Sequence, residues 1–225
     1  MPIVTPFTDD GATLSEVRLA RLLRFYMKQG VEGFMLASET GEFATLSLSE
    51  RKQLVELTLR DTQGARPIVV NVSTLSTSSS LDLAQHAARH GARGVVLLPP
   101  FFGDLTQQEH VDHIRVIANH SSLPILLADP SGTLQDEART AISHFPNVHM
   151  VWPHPDCSAT HADWFRCYNL MVDPMAGVPD SKPSDFLLRN RAAVAKTLLV
   201  DSDLEVGSPR MPVQPVPYRE IRKAA

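Results

Sequence analysis

Short apolar runs rich in β-branched residues recur along this chain, separated by longer stretches with near-helical periodicity. The runs are Pro2–Thr5, Gly33–Ala37, Pro67–Val72, Gly94–Leu98, Pro124–Ala128, Val148–Trp152 and, more faintly, Asn169–Val172. They are continuous rather than alternating, which predicts parallel strands buried on both faces. Between them, Val17, Leu19, Leu22, Leu23 and Tyr26 fall near a 3.6-residue period and predict a first helix with one buried face. Thr13-Leu14-Ser15-Glu16, Ser47-Leu48-Ser49-Glu50 and Thr106-Gln107-Gln108-Glu109 read as capping boxes that open helices. Gly30, Gly64 and Gly91 stand where helices would close through a left-handed residue. The pattern is a run of βα units, and periodicity alone does not separate an open sheet from a closed barrel.

Composition narrows the function classes. With 225 residues, 43% of them hydrophobic, the chain can bury a full core and reads as one domain. A formal net charge of −4 gives no basic excess for a phosphate backbone, so no nucleic-acid partner is expected. Runs such as Gly94–Leu98 and Ile125–Ala128 are too short to cross a bilayer, and the amino terminus lacks a signal-peptide pattern. The expectation is a soluble, cytoplasmic protein with no membrane partner. Cys157 and Cys167 lack metal-ligand spacing and read as reduced thiols, with a disulfide as the alternative.

Two segments carry a family resemblance. Ala37-Ser38-Glu39-Thr40-Gly41-Glu42-Phe43, with Val4-Thr5-Pro6-Phe7 upstream, resembles the dihydrodipicolinate synthase / N-acetylneuraminate lyase family. Gly207-Ser208-Pro209-Arg210-Met211-Pro212-Val213-Gln214-Pro215 resembles that family's proline-rich terminal segment. The resemblance implies a TIM (β/α)8-type barrel, incomplete near strands 7–8, because the chain is shorter than the ~250 residues such barrels typically use. It divides the chain into a shortened barrel over 1–200 and a proline-rich segment over 201–225 that packs on it. Dimers and tetramers are the family habit, so a homo-oligomer, or a hetero-oligomer with an active relative, is expected.

The resemblance also locates a site at the carboxyl ends of the strands, with a small 2-oxo acid as ligand. It implies that Thr40 and Gly41 hold the ligand carboxylate, with Glu39, Phe102 and Asp129 lining the same mouth. Glu39 stands where the family has a threonine. A carboxylate ~4 Å from another costs about 4 kcal/mol at an effective dielectric near 20. Pro100-Phe101-Phe102 keeps the shape of the family's aromatic pair without the hydroxyl. Leu127-Ala128-Asp129-Pro130-Ser131 lacks the proton-shuttling tyrosine, and Gly132 stands where an arginine would clamp the carboxylate. The Schiff-base lysine belongs on the strand read here as Val148–Trp152, which contains none; the lysines are Lys28, Lys52, Lys182, Lys196 and Lys223.

A Schiff base needs a primary amine, so the expectation is a family member without the family's lyase activity, serving as a binding or assembly protein or a decayed enzyme. The alternative is a lyase or aldolase that works through a metal or a displaced lysine. Glu39, Asp129 and His154, with Glu42, Asp156 and Asp173 nearby, are of the ligand types that hold a divalent ion, although Asp129 and His154 also suit proline-flanked turns. Lys182 is the displaced-nucleophile candidate, although its polar and proline neighbours favour an ordinary solvent-exposed loop lysine. No cofactor is expected. His86 with His90, and Glu109 with His113, are spaced i, i+4 and are expected on solvated helix faces.

Overall fold

A computed structural model describes residues 1–101, 103–151 and 191–224. The expectations for Phe102, Trp152, His154, Asp156, Cys157, Cys167, Asp173 and Lys182, and for the strand Asn169–Val172, lie outside the described residues. The chain divides into two compact units, Met1–Arg66 with Asn169–Ala225, and Pro67–Tyr168.

The first unit holds α1 (Glu16–Lys28), β1 (Phe34–Leu36), a 3-10 turn at Phe43–Thr45, α2 (Leu48–Thr62), α6 (Arg191–Asp201) and α7 (Tyr218–Ala224). Helix α1 starts two residues later than the Thr13 capping box predicts: Ser15 is the cap, its hydroxyl accepting from the Arg18 amide. Leu19, Leu22 and Leu23 form its buried stripe, whereas Val17 is exposed, because 3.6-residue spacing carries it around to the far side. Helix α2 opens with the expected capping box, Ser47 and Glu50 each bonding the other's amide. The run Pro2–Thr5 pairs with β1 over a single parallel bridge, Pro2 with Met35, rather than as a full strand. Toward the carboxyl end, Ala193, Val194, Val216 and Ile221 form a small buried cluster that ties α6 to α7.

The second unit runs β2 (Ile68–Asn71), α3 (Thr77–His90), β3 (Gly94–Leu97), α4 (Gln107–His120), β4 (Ile125–Ala128), α5 (Asp136–Ser143) and β5 (Val148–Val151). Strands β2 through β5 pair in chain order, all parallel, with Val70 opposite Val95, Val96 opposite Leu126 and Leu127 opposite Met150. Every residue of β2, β3 and β4 is buried, as strands covered on both faces require. Thr106 and Glu109 form the predicted capping box of α4. Gly30, Gly64 and Gly91 all take positive φ, and Gly91 caps α3 through its amide. This strict βα alternation with a parallel sheet is the architecture of a (β/α) barrel. Among the described residues no helix is long and apolar enough to cross a membrane.

Two of the helix histidines depart from expectation, whereas His90 and Glu109 are exposed as expected. His86 and His113 are buried, along with His110, rather than set on solvated faces. Helices α3 and α4 pack on each other. The His113 Nδ1 bonds the Thr77 hydroxyl at 2.8 Å, and burial pushes its pKa down to about 4, with His110 nearby acting in the same direction.

Candidate functional site

In the first unit the site residues lie on the turn that leaves β1. Its backbone folds tightly: the Glu42 amide donates to the Glu39 carbonyl at 3.0 Å and the Phe43 amide to the Ser38 carbonyl at 3.2 Å. The Ser38 hydroxyl accepts from the Gly41 amide at 3.2 Å, and the Thr5 hydroxyl donates to the Gly41 carbonyl at 2.6 Å. A Cβ at position 41 would be crowded against backbone, 3.0 Å from the Ile3 carbonyl oxygen and 3.2 Å from the Ser38 nitrogen, so glycine suits the turn. Ala37 and Glu42, which flank the turn, both adopt left-handed backbone at φ 52° and 58°. That conformation costs an ordinary residue about 1–2 kcal/mol. Ser38, Thr40 and Glu42 are buried and Glu39 is exposed. Among the described residues no hydrogen bond engages the Thr40 hydroxyl, which leaves it available to a ligand.

Glu42 explains how that strain is held. Its Oε1 lies 2.6 Å from the Lys196 ammonium, and its Oε2 accepts from the Arg210 backbone amide at 2.7 Å. The Lys196 and Glu42 side chains are 3% and 1% exposed, so this is a fully buried ion pair. Lys196 also donates to the Ser208 carbonyl at 3.0 Å and sits 4.3 Å from the centre of the Phe7 ring. Burial holds its pKa below the usual lysine value, Glu42 pulling the other way.

Arg210 fastens the same region. Its guanidinium reaches the Gly11, Ala12 and Thr45 carbonyls at 2.7, 2.8 and 3.2 Å and forks onto Glu50 at 2.6 and 3.0 Å. It lies 4.1 Å from the Phe7 ring centre, so two cations share one aromatic ring. The bond from Arg210 holds the Glu50 carboxyl below the ordinary carboxylate range. Beside this network a cavity of about 420 Å³ is lined by Arg18, Lys196, Thr197, Glu205, Gly207 and Ser208, among others.

In the second unit the strand ends carry their own polar groups. Asn71, the last residue of β2, accepts through Oδ1 from the Ser73 amide at 3.0 Å and hydroxyl at 2.6 Å. The Ser73 hydroxyl oxygen in turn accepts from the Leu98 amide at 2.8 Å, linking the ends of β2 and β3. Asp129, just after β4, is buried, and both carboxylate oxygens are engaged by its own loop: Oδ1 by the Thr133 amide at 2.8 Å, Oδ2 by the Leu134 amide at 2.7 Å. Asp129 thus serves as the turn residue that its place before Pro130 suggests. Phe101 is 55% exposed.

Of the sequence-derived candidates, Glu39, Thr40 and Gly41 share one turn of the first unit, and Asp129 belongs to the second. The metal set Glu39, Asp129 and His154 thus draws on both units and on an undescribed residue. Sequence reasoning missed Lys196, Arg210, Asn71 and Ser73. Lys196 had a signal, being the one lysine inside the apolar stretch Ala192–Val200.

The family model for the dihydrodipicolinate synthetase family matches residues 1–148. A 4-hydroxy-tetrahydrodipicolinate synthase of Clostridium acetobutylicum is 28% identical over 146 residues, 65% of this chain and 47% of that protein. An N-acetylneuraminate lyase of Shigella boydii serotype 4 is 35% identical over 126 residues, 56% of this chain and 42% of that one. The chain thus spans about half the length of the curated relatives it matches. Among solved structures, the dihydrodipicolinate synthase of Bacillus clausii superposes with a TM-score of 0.78 at 15% identity, covering 98% of this chain and 93% of that one. A catalytic-lysine mutant of the Ruminococcus gnavus sialic acid aldolase gives 0.76 at 16% identity, covering 99% and 92%. At those identities the likeness is one of fold, and it agrees with the barrel architecture. With two thirds of its length matched by the family model and the Thr40-Gly41-Glu42 turn in place, this chain belongs to the dihydrodipicolinate synthetase family.

Proposed function

We propose that this protein binds a small 2-oxo acid on the Thr40–Gly41 turn but does not carry out Schiff-base lyase chemistry on β5. The observation that carries the reading is the sequence of that strand, Val148-His149-Met150-Val151, which offers no primary amine where the family resemblance puts one. The buried amine that is described, Lys196, is committed to Glu42 and Ser208. Lys28 and Lys52 belong to the outer helices α1 and α2. What favours ligand binding is the Thr40 hydroxyl, engaged by none of the described residues, beside a turn whose shape is fixed on both sides. Assembly into an oligomer, with itself or with an active relative, is part of the same proposal.

The opposing reading is a lyase that uses a displaced lysine or a bound metal. Borohydride reduction in the presence of pyruvate, read by intact mass beside an active family enzyme, separates the two. No adduct is expected here. An adduct mapped to Lys182 or Lys196 overturns the proposal, and aldol cleavage abolished by a chelator would overturn it by the metal route.

A further inference from the structure

We infer that Lys196 and Arg210 are positioning residues for the Ser38–Glu42 turn, so that the carboxyl-terminal segment sets the ligand affinity of a motif far from it in sequence. This rests on the reading of Thr40 and Gly41 as the ligand-holding turn. Glu42 sits in left-handed backbone without the freedom of glycine, and something must hold it there. Its side chain does not cap the 3-10 turn that follows it, and that turn holds only its carbonyl, through the Thr45 amide and hydroxyl at 2.9 and 3.0 Å. What grips Glu42 is its carboxylate, with one oxygen on Lys196 and the other on the Arg210 amide.

The grip is itself well anchored. Segment 206–210 is pinned where the Phe7 amide donates to the Val206 carbonyl at 3.1 Å. At Gly207, φ 75°, a Cβ would stand 2.5 Å from the Phe7 carbonyl oxygen, so this close approach is reserved for glycine. The Arg210 guanidinium then brackets the turn's far side through Thr45 and Glu50. Thr5, which holds the Gly41 carbonyl, lies two residues from Phe7, the ring both cations share. The turn is therefore clamped at its glycine from the amino-terminal side and at its glutamate from the carboxyl-terminal side. A charge removed at Lys196 releases Glu42, and with it the hydrogen bonds of Gly41, Glu42 and Phe43 that give Thr40 its place.

The test compares the unmodified protein with Lys196→Met, Lys196→Arg and the charge-neutral double variant Glu42→Gln/Lys196→Met. Amide hydrogen exchange is followed at Gly41, Glu42 and Phe43, with β3 and β4 as internal reference. We expect the three turn amides to exchange about tenfold faster or more in both variants carrying Met, with the reference strands unchanged and Arg restoring part of the protection. Pyruvate titrated into each protein should bind more weakly in the same order. Unchanged exchange at the turn in a folded Lys196→Met overturns the inference. So does loss of folding in both Met variants, because the network would then support the whole unit rather than the turn. If pyruvate fails to bind even the unmodified protein while the turn amides respond as expected, the ligand reading fails and the positioning role stands.

Discussion

His113 converts acid into instability, and its burial sets the size of the effect. The ring is almost fully enclosed, bonded to Thr77 through Nδ1, and its Nε2 finds no partner among the described residues. Its pKa falls from 6.5 to about 4, so the folded protein takes up this proton far less readily than the unfolded chain. Between those values the unfolded state binds more protons, and stability therefore falls as pH drops through 6.5 toward 4. A shift of that size corresponds to roughly 3 kcal/mol once both states are protonated, and about 2 kcal/mol of it is lost between pH 7 and pH 5. The assay is urea unfolding at pH 7 and pH 5 for the unmodified protein and for His113→Leu. The variant will be less stable at neutral pH, since it loses the Thr77 bond, but its pH dependence should be shallower by about 2 kcal/mol over that interval. Equal slopes in the two proteins would refute the reasoning, as would an NMR titration that puts His113 near 6.5.

Gly41→Ala should destabilise the protein by about 1–3 kcal/mol in the same urea assay and abolish pyruvate binding, because the new methyl meets only backbone atoms that cannot rotate away. A variant of unchanged midpoint would show that the turn is looser than its contacts imply. Asp129→Ala strips the partners from the Thr133 and Leu134 amides, and Leu134 is buried; a loss of about 1–3 kcal/mol is expected, read as a lowered thermal midpoint. Asp129→Asn retains one acceptor and should recover part of that loss. If pyruvate binding is lost in Asp129→Asn at full stability, Asp129 belongs to the ligand site after all.

The strands were legible because burial on both faces leaves little room for polar residues: each run from Pro67 to Val151 appears as a strand within a residue or two of its expected limits. Ser47 and Thr106 announced their helices for a similarly local reason, since a capping box is complete within four residues. Thr13 misled because Ser15 offers a competing hydroxyl two residues on. His86 and His113 misled because i, i+4 spacing fixes which residues share a face, not whether that face meets water. The turn at Thr40–Glu42 was legible as a motif, but the groups that hold it were not. Glu42 and Arg210 are 168 residues apart, and no local pattern in either segment specifies the other. Asp129 looked like a substrate contact from the motif and like a turn residue from Pro130; in the fold its oxygens serve the turn.

The division of the chain into one contiguous unit and one made from two distant pieces has a consequence for biosynthesis. Pro67–Tyr168 is synthesised in a single stretch, so each of its parallel strands meets its neighbour soon after it emerges. The other unit must wait: Glu42 is made early and stays a hydrated carboxylate until Lys196 and Arg210 leave the ribosome. Its burial thus waits for residues 196–210, made long after residue 42, and the turn takes its final shape only once they have emerged. A ribosome stalled or a message cut before residue 196 would release a protein with a stranded acid at the heart of its motif. Such a product would expose that turn and its unpaired acid, the kind of partly folded surface that quality-control proteases act on.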